Sequence, residues 1–202
     1  MNFLGHCLIT QFNPEYISGN LAGDHFKGDL ALNTLLPSNI KRGVEIHRFI
    51  DSFTDSAPEI QKVAKIFQEG GVKRISYIAS DIILDHYISK NWSKLSPFSL
   101  PYFIDAIYQQ TSKDLIYLPE KFHYIFGKMV EKNWLSRYIS EDGIELTLLK
   151  FEQRIPFINN LHDSFQIYKD HQFEIDELYT RFINTITNVV TLHFKLNMTS
   201  NY

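Results

Sequence analysis

The chain of 202 residues is 44% apolar and 21% charged, a composition that supports a sizeable globular core. A formal net charge of -3 argues against a general nucleic-acid binder, and a lone cysteine, Cys7, excludes an intramolecular disulfide framework. No apolar run approaches the roughly 18 residues that span a bilayer, and MNFLGHCLITQFNPE lacks the features of a signal peptide, so the expectation is a cytoplasmic chain without a membrane partner.

The apolar opening MNFLGHCLIT reads as a helical turn or two, with Phe3, His6, Cys7 and Thr10 on one face. Asn13 as N-cap and Pro14 at the first helical position predict a helix through Ile17 and Leu21, with Asp24 continuing the stripe. Gly19, Gly23 and Gly28 weaken that helix, or admit close backbone approach by a packed neighbour. Residues 29–36 read as a connection. Pro37 then starts a helix expected to end near Phe53 or Thr54. The spacing of Ser56 and Glu59 suggests a capping box for a helix bearing Ile60, Val63, Ala64 and Phe67, ended by Gly70 and Gly71. From Val72 to about Asn91 the pattern is again helical. Further helices are expected at about 101–116, 120–138, 141–155, 159–170 and 174–195, with breaks at Asp142-Gly143, Pro156 and near 169–172. No strand alternation, linker or repeat is evident. The fold class predicted is all-α, a single domain over residues 1–202 with about eight or nine helices.

Two helices carry ionisable groups where burial is expected. In HRFIDSFTD, Ile40, Val44, His47 and Asp51 share one stripe. In SDIILDHY, one stripe holds Ile78, Asp81, Asp85 and Ile88, and another holds Ile75, Ala79, Ile82 and His86. Buried groups of this kind need partners, altered protonation or a metal. Imidazole with several carboxylates suits Mn, Fe, Mg or Zn, and such an ion can bind a phosphate oxygen and activate water. His6 and Asp24 are candidates to complete the shell, and Arg48 to hold a phosphate oxygen. Spacing alone leaves the ordinary alternatives standing: a solvated aspartate, a hydrogen-bonded histidine, and Asp55 as a helix-end residue. P-loop, dinucleotide, HExxH, CxxC and GxSxG signatures are absent, and Cys7 reads as core packing before it reads as a nucleophile.

MNFLGH, SGNLAGD, HRFIDSFTD, DIILDHYIS, NWSKLSP and NWLSRY occur in the order and approximate spacing of bacterial acyl carrier protein phosphodiesterases, which the chain resembles over nearly its whole length. The resemblance implies hydrolysis of the diester joining 4'-phosphopantetheine to a serine of holo-acyl carrier protein. It also implies an HD-domain-like helical fold and dependence on a divalent cation, notably Mn2+. The matching polar positions are His6, Asp24, His47, Arg48, Asp51, Asp55, Asp81, Asp85 and His86, with Asp85-His86 reversing the HD order. The expected roles follow: His47, Asp51 and Asp85 hold the metal, with His86 or Asp81 as a further ligand. Asp24 or Asp81 takes a proton from water, and Arg48 or His6 steadies the phosphate. An acidic carrier protein further calls for a basic docking face, for which Lys41 and Arg42, with Lys27, Lys62, Lys65, Lys73 and Arg74, are the candidates. A phosphohydrolase of nucleotides or other small diesters, and a non-catalytic carrier-binding module, are the competing readings.

Overall fold

The computed structural model describes residues 1–154 and 159–199, and these residues form helices and turns without a β-strand. Among them are twelve α-helices, more than the sequence suggested because several expected helices are broken. α1 is Phe3–Ile9 and α2 is Ile17–Leu21, the latter flanked by 3-10 turns at Pro14–Tyr16 and Gly23–His25. Asn13 does not cap this segment; its side chain pairs instead with the Asn197 backbone. The connection over 29–36 contains a 3-10 turn at Leu30–Leu32, opened by Asp29 accepting from the Ala31 N–H.

α3 runs Ser38–Ser56 and α4 runs Pro58–Glu69. The expected capping box does not form. Ser56 ends α3, and its hydroxyl donates back to the carbonyls of Ser52 and Phe53. On α4 the stripe Ile60, Val63, Ala64 and Phe67 is buried as the period predicts. Its end is a Schellman turn: Val72 N–H reaches Phe67 O, Gly71 N–H reaches Gln68 O, and Gly71 takes φ 110°.

α5, Ser76–Lys90, starts later than its pattern suggested because Val72 belongs to that turn. Its buried residues include an unbroken run from Ile82 to Ser89. A helix buried on every side is a central element, and its sequence period no longer tells which face meets which neighbour. α6 is Trp92–Leu95, α7 Leu100–Asp114, α8 Glu120–Glu131, α9 Trp134–Arg137 and α10 Glu141–Arg154. Asn133, at φ 44°, breaks the expected 120–138 helix into α8 and α9. Asp142 and Gly143, expected as a break, lie inside α10, and Pro156 lies outside the described residues. α11 is Ser164–Asp170 and α12 is Gln172–Phe194. α12 packs on α1, α3, α4 and α5, and α1 packs on α2 and α5.

The tightest element contact is α2 on α3. Gly19 and Gly43 face each other there, and a Cβ on Gly19 would overlap the Ile40 carbonyl. This is the close backbone approach that the glycine-rich stretch admits. It holds the end of α2 against the face of α3 that carries His47. Among the described residues, no helix is long and apolar enough to cross a membrane.

Candidate metal centre

The centre is assembled on α1, α2 and α3. Asn20, fully buried on α2, links the two histidines. Its amide nitrogen donates to the His6 carbonyl at 2.8 Å and lies 3.3 Å from the Thr10 hydroxyl, which fixes its oxygen toward His6 Nδ1 at 3.0 Å. The Asn20 backbone carbonyl accepts from His47 Nδ1 at 2.7 Å. Both Nδ1 atoms therefore carry hydrogen, and in the neutral rings both Nε2 atoms are left as lone-pair donors. The rings stack with centroids 4.1 Å apart and planes 15° from parallel. Gly23 makes room for this: a Cβ there would overlap the His47 ring.

The two Nε2 atoms meet at Asp51, one turn along α3 from His47. His6 Nε2 is 3.1 Å from Asp51 Oδ1, and His47 Nε2 is 3.0 Å from Oδ2. Asp24 approaches from the solvent side, 3.4 Å from His47 Nε2. The short His47–Asp51 separation is not a well-directed hydrogen bond, since Nε2 is buried with no acceptor in line. A buried nitrogen without an acceptor, beside carboxylates and a second imidazole, is the arrangement a cation completes. One ligand atom each from His6, His47 and Asp51 lies within 4.8 Å of the others, the spacing of a metal-binding group. Two imidazoles and a carboxylate suit a first-row divalent ion.

Electrostatics separates the two histidines. Burial, reinforced by the nearby His47 charge, lowers His6 to about 4. Burial also opposes charge on His47, but Asp24 and Asp51 outweigh it and raise His47 to about 9. Asp51 is likewise opposed by burial, yet His47 and His6 hold it well below the usual carboxylate range. Without an ion, His47 is thus the cation that neutralises the carboxylates, and metal binding must displace its proton.

The other expected residues go elsewhere. Asp85, fully buried, accepts from the N–H groups of Leu4 and Gly5, both at 2.9 Å, so it caps the start of α1. Burial pushes Asp85 up to about 7 even against those two donors. The structure does not bring Asp85 to His47 as expected: both its oxygens accept from the start of α1. His86, expected as a ligand, is likewise placed apart from His47. Its Nδ1 is 2.7 Å from the Tyr138 carbonyl, and its ring sits edge-on to Phe165 and Tyr168. Successive helical residues point about 100° apart, so Asp85 turns to α1 while His86 turns to α11, and they form no shared ligand pair. Asp81 lies 3.1 Å from the Met1 amino group, which is itself 4.0 Å from Asp51. Arg48 is exposed, and its Nη2 donates to the carbonyls of Phe26 and Gly28 at 3.1 and 3.0 Å, so it braces that loop. Asp55 is exposed and lies inside α3, short of its Ser56 end. Cys7 is buried, and burial pushes its thiol well above the ordinary range, which fits packing.

A small cavity of about 30 Å³ adjoins the centre, lined by His6, Asn20, Asp24 and His47 with Met1, Asn2, Phe3 and Leu21. It has room for about one water.

Compared with known proteins, residues 1–186 match the family model for acyl carrier protein phosphodiesterase. The chain belongs to that family. A relative so named from Photorhabdus laumondii is 33% identical over 183 residues, covering 90% of this chain and 91% of the relative. One from Salmonella agona is 30% identical, covering 90% of this chain and 93% of the relative. No solved structure gives a significant match. Sequence reasoning missed the part played by Asn20, and it offered His6 both as a group completing the metal shell and as one steadying the phosphate. The signal for Asn20 was a polar residue on a helix face otherwise set by Ile17 and Leu21.

Proposed function

We propose that this chain hydrolyses the phosphodiester between 4'-phosphopantetheine and a serine of holo-acyl carrier protein, with a divalent ion held by His6, His47 and Asp51. The observation that carries the metal part is the convergence of two Nε2 atoms on Asp51, with each Nδ1 tied to Asn20. Family membership supports the substrate class. A divalent ion so held supplies Lewis acidity toward a phosphoryl oxygen and toward the attacking water.

The chain's own groups do the rest. Asn20 holds both rings in the tautomer that offers Nε2. Asp24, exposed beside the small cavity, accepts a hydrogen bond from the attacking water and takes its proton at a carboxylate oxygen. Water adds to phosphorus as the bond from phosphorus to the serine oxygen breaks. The serine oxygen recovers a proton, giving apo-carrier protein and free 4'-phosphopantetheine.

Manganese is the ion we assign, with Mg2+, Fe2+ and Zn2+ as the alternatives to be compared. The test is mass spectrometry of holo-carrier protein incubated with the chain and each ion. The expected result is loss of the phosphopantetheine mass with Mn2+, and an intact holo-protein with every ion would overturn the proposal.

A further inference from the structure

A second, much larger cavity of about 650 Å³ lies among α8, α9 and α10. Aromatic side chains line it, among them Tyr124, Trp134, Tyr138 and Phe151. Five cations line it as well: Lys128, Lys132, Arg137, Lys150 and Arg154. No carboxylate is among its described lining residues. Of the five, only Lys128 has an ion-pair partner among the described residues, Glu131 at 2.7 Å. The Arg154 guanidinium lies 6.0 Å from the Trp134 ring centroid, at the edge of cation–π range. Desolvation, followed by the charges of Arg137, Lys132 and Arg154, lowers the Lys150 ammonium from its ordinary value. In a chain of net charge -3, this is a local concentration of positive charge.

The cavity neighbours the candidate metal centre across Phe3 and Asn2. Phe3 lines both the large cavity and the small one beside His6 and His47. Asn2, in the small cavity, donates to the Tyr138 hydroxyl of the large one at 2.8 Å. A substrate whose phosphodiester sits at the metal centre would reach the cations by passing over Phe3 and Asn2.

Two parts of that substrate compete for the space. The pantetheine arm carries no charge beyond the scissile phosphate, so it offers these cations nothing to pair with. An acidic polypeptide offers several carboxylates, with apolar side chains between them for the aromatic lining. Resting on the carrier-protein reading above, we propose that this cavity docks an acidic segment of the protein half of the substrate. The basic residues expected from sequence are engaged elsewhere in several cases: Arg42 pairs with Glu45 and the Phe194 carbonyl, Lys65 with Glu69, and Lys27 with the Asp24 carbonyl.

The test uses apo-carrier protein, whose binding needs no chemistry. The triple variant Lys132→Glu, Lys150→Glu, Arg154→Glu is compared with wild type, and Lys132→Gln, Lys150→Gln serves if the triple variant fails to fold. Charge reversal is expected to weaken binding at least about 10-fold and to flatten its salt dependence. The ratio of kcat/KM for holo-carrier protein to that for bis(4-nitrophenyl) phosphate is expected to fall by a similar factor. Unchanged binding in folded variants, or equal losses with both substrates, overturns the docking site. Wild type that binds apo-carrier protein through these cations yet leaves holo-carrier protein intact sustains the docking site and overturns the reaction.

Discussion

α3 and α5 each carry an imidazole and a carboxylate on faces that otherwise bury aliphatic side chains, and they use them in opposite ways. On α5, Asp85 spends both oxygens on the N–H groups of Leu4 and Gly5, and His86 pairs with the Tyr138 carbonyl. On α3, His47 spends only Nδ1 on backbone, and its Nε2 meets Asp51, which also meets His6. A buried ionisable residue is thus structural when its polar atoms close on backbone, and poised for a ligand when they close on one another.

That contrast breaks most readily at α3. His47→Ala or Asp51→Ala should leave a folded protein without bound divalent ion and with turnover reduced about 1,000-fold or more, the scale of several kcal/mol of lost Lewis acidity. Metal content by elemental analysis alongside turnover checks this. Folded variants that keep both would return His47 and Asp51 to the structural class.

The protonation of His47 sharpens the comparison next. Its rise from 6.5 to about 9 corresponds to about 3 kcal/mol at a residue only 5% exposed. In metal-free protein that stabilisation is full below pH 6.5 and is lost as pH rises through about 9. Where an ion replaces the proton, affinity should instead climb over the same window. Thermal unfolding across pH 6 to 9.5, with and without Mn2+, should give slopes of opposite sign; parallel slopes would remove His47 from the ligand set.

For α5, the expected signature is stability. Asp85→Leu strands two buried N–H groups and should cost about 2–4 kcal/mol, lowering the melting temperature by about 6–12 °C. Metal affinity should fall far less than in the His47 variant. A Leu variant that melts like wild type but binds no ion would reverse the roles of the two helices.

The smallest effect belongs to the residue behind the centre. Asn20→Ala removes the side-chain oxygen that orients His6, and metal affinity should drop about 10–100-fold. Titration by isothermal calorimetry reads this directly, and unaltered affinity would mean that packing alone sets the His6 ring.

Much of the fold is visible in the sequence wherever one face of a helix meets solvent. α4 and α12 show their stripes because their other faces are polar. The glycine-rich stretch after Asn13 fragments into 3-10 turns and a five-residue helix, since close approach to α3 governs its shape more than helix propensity does. In the centre, His47 and Asp51 could be paired from one helix because i and i+4 meet locally. His6 was only one candidate among several to join them, because tertiary packing of α1 on α2 and α5 is what brings it there. Asp85 and His86 were legible as buried, yet the roles expected of them required a facing direction that an all-buried helix does not encode.

The order in which the donors occur along the chain bears on synthesis. His6, Asn20, Asp24, His47 and Asp51 all fall within the first 51 residues. The helices that seat them come later: α5 fastens α1 through Asp85, and α12 closes against α1 and α3. A ribosome therefore exposes every one of these groups well before the scaffold that converges them exists. The convergence of His6 on His47 and Asp51 is then complete only once α5 and α12 have packed against α1.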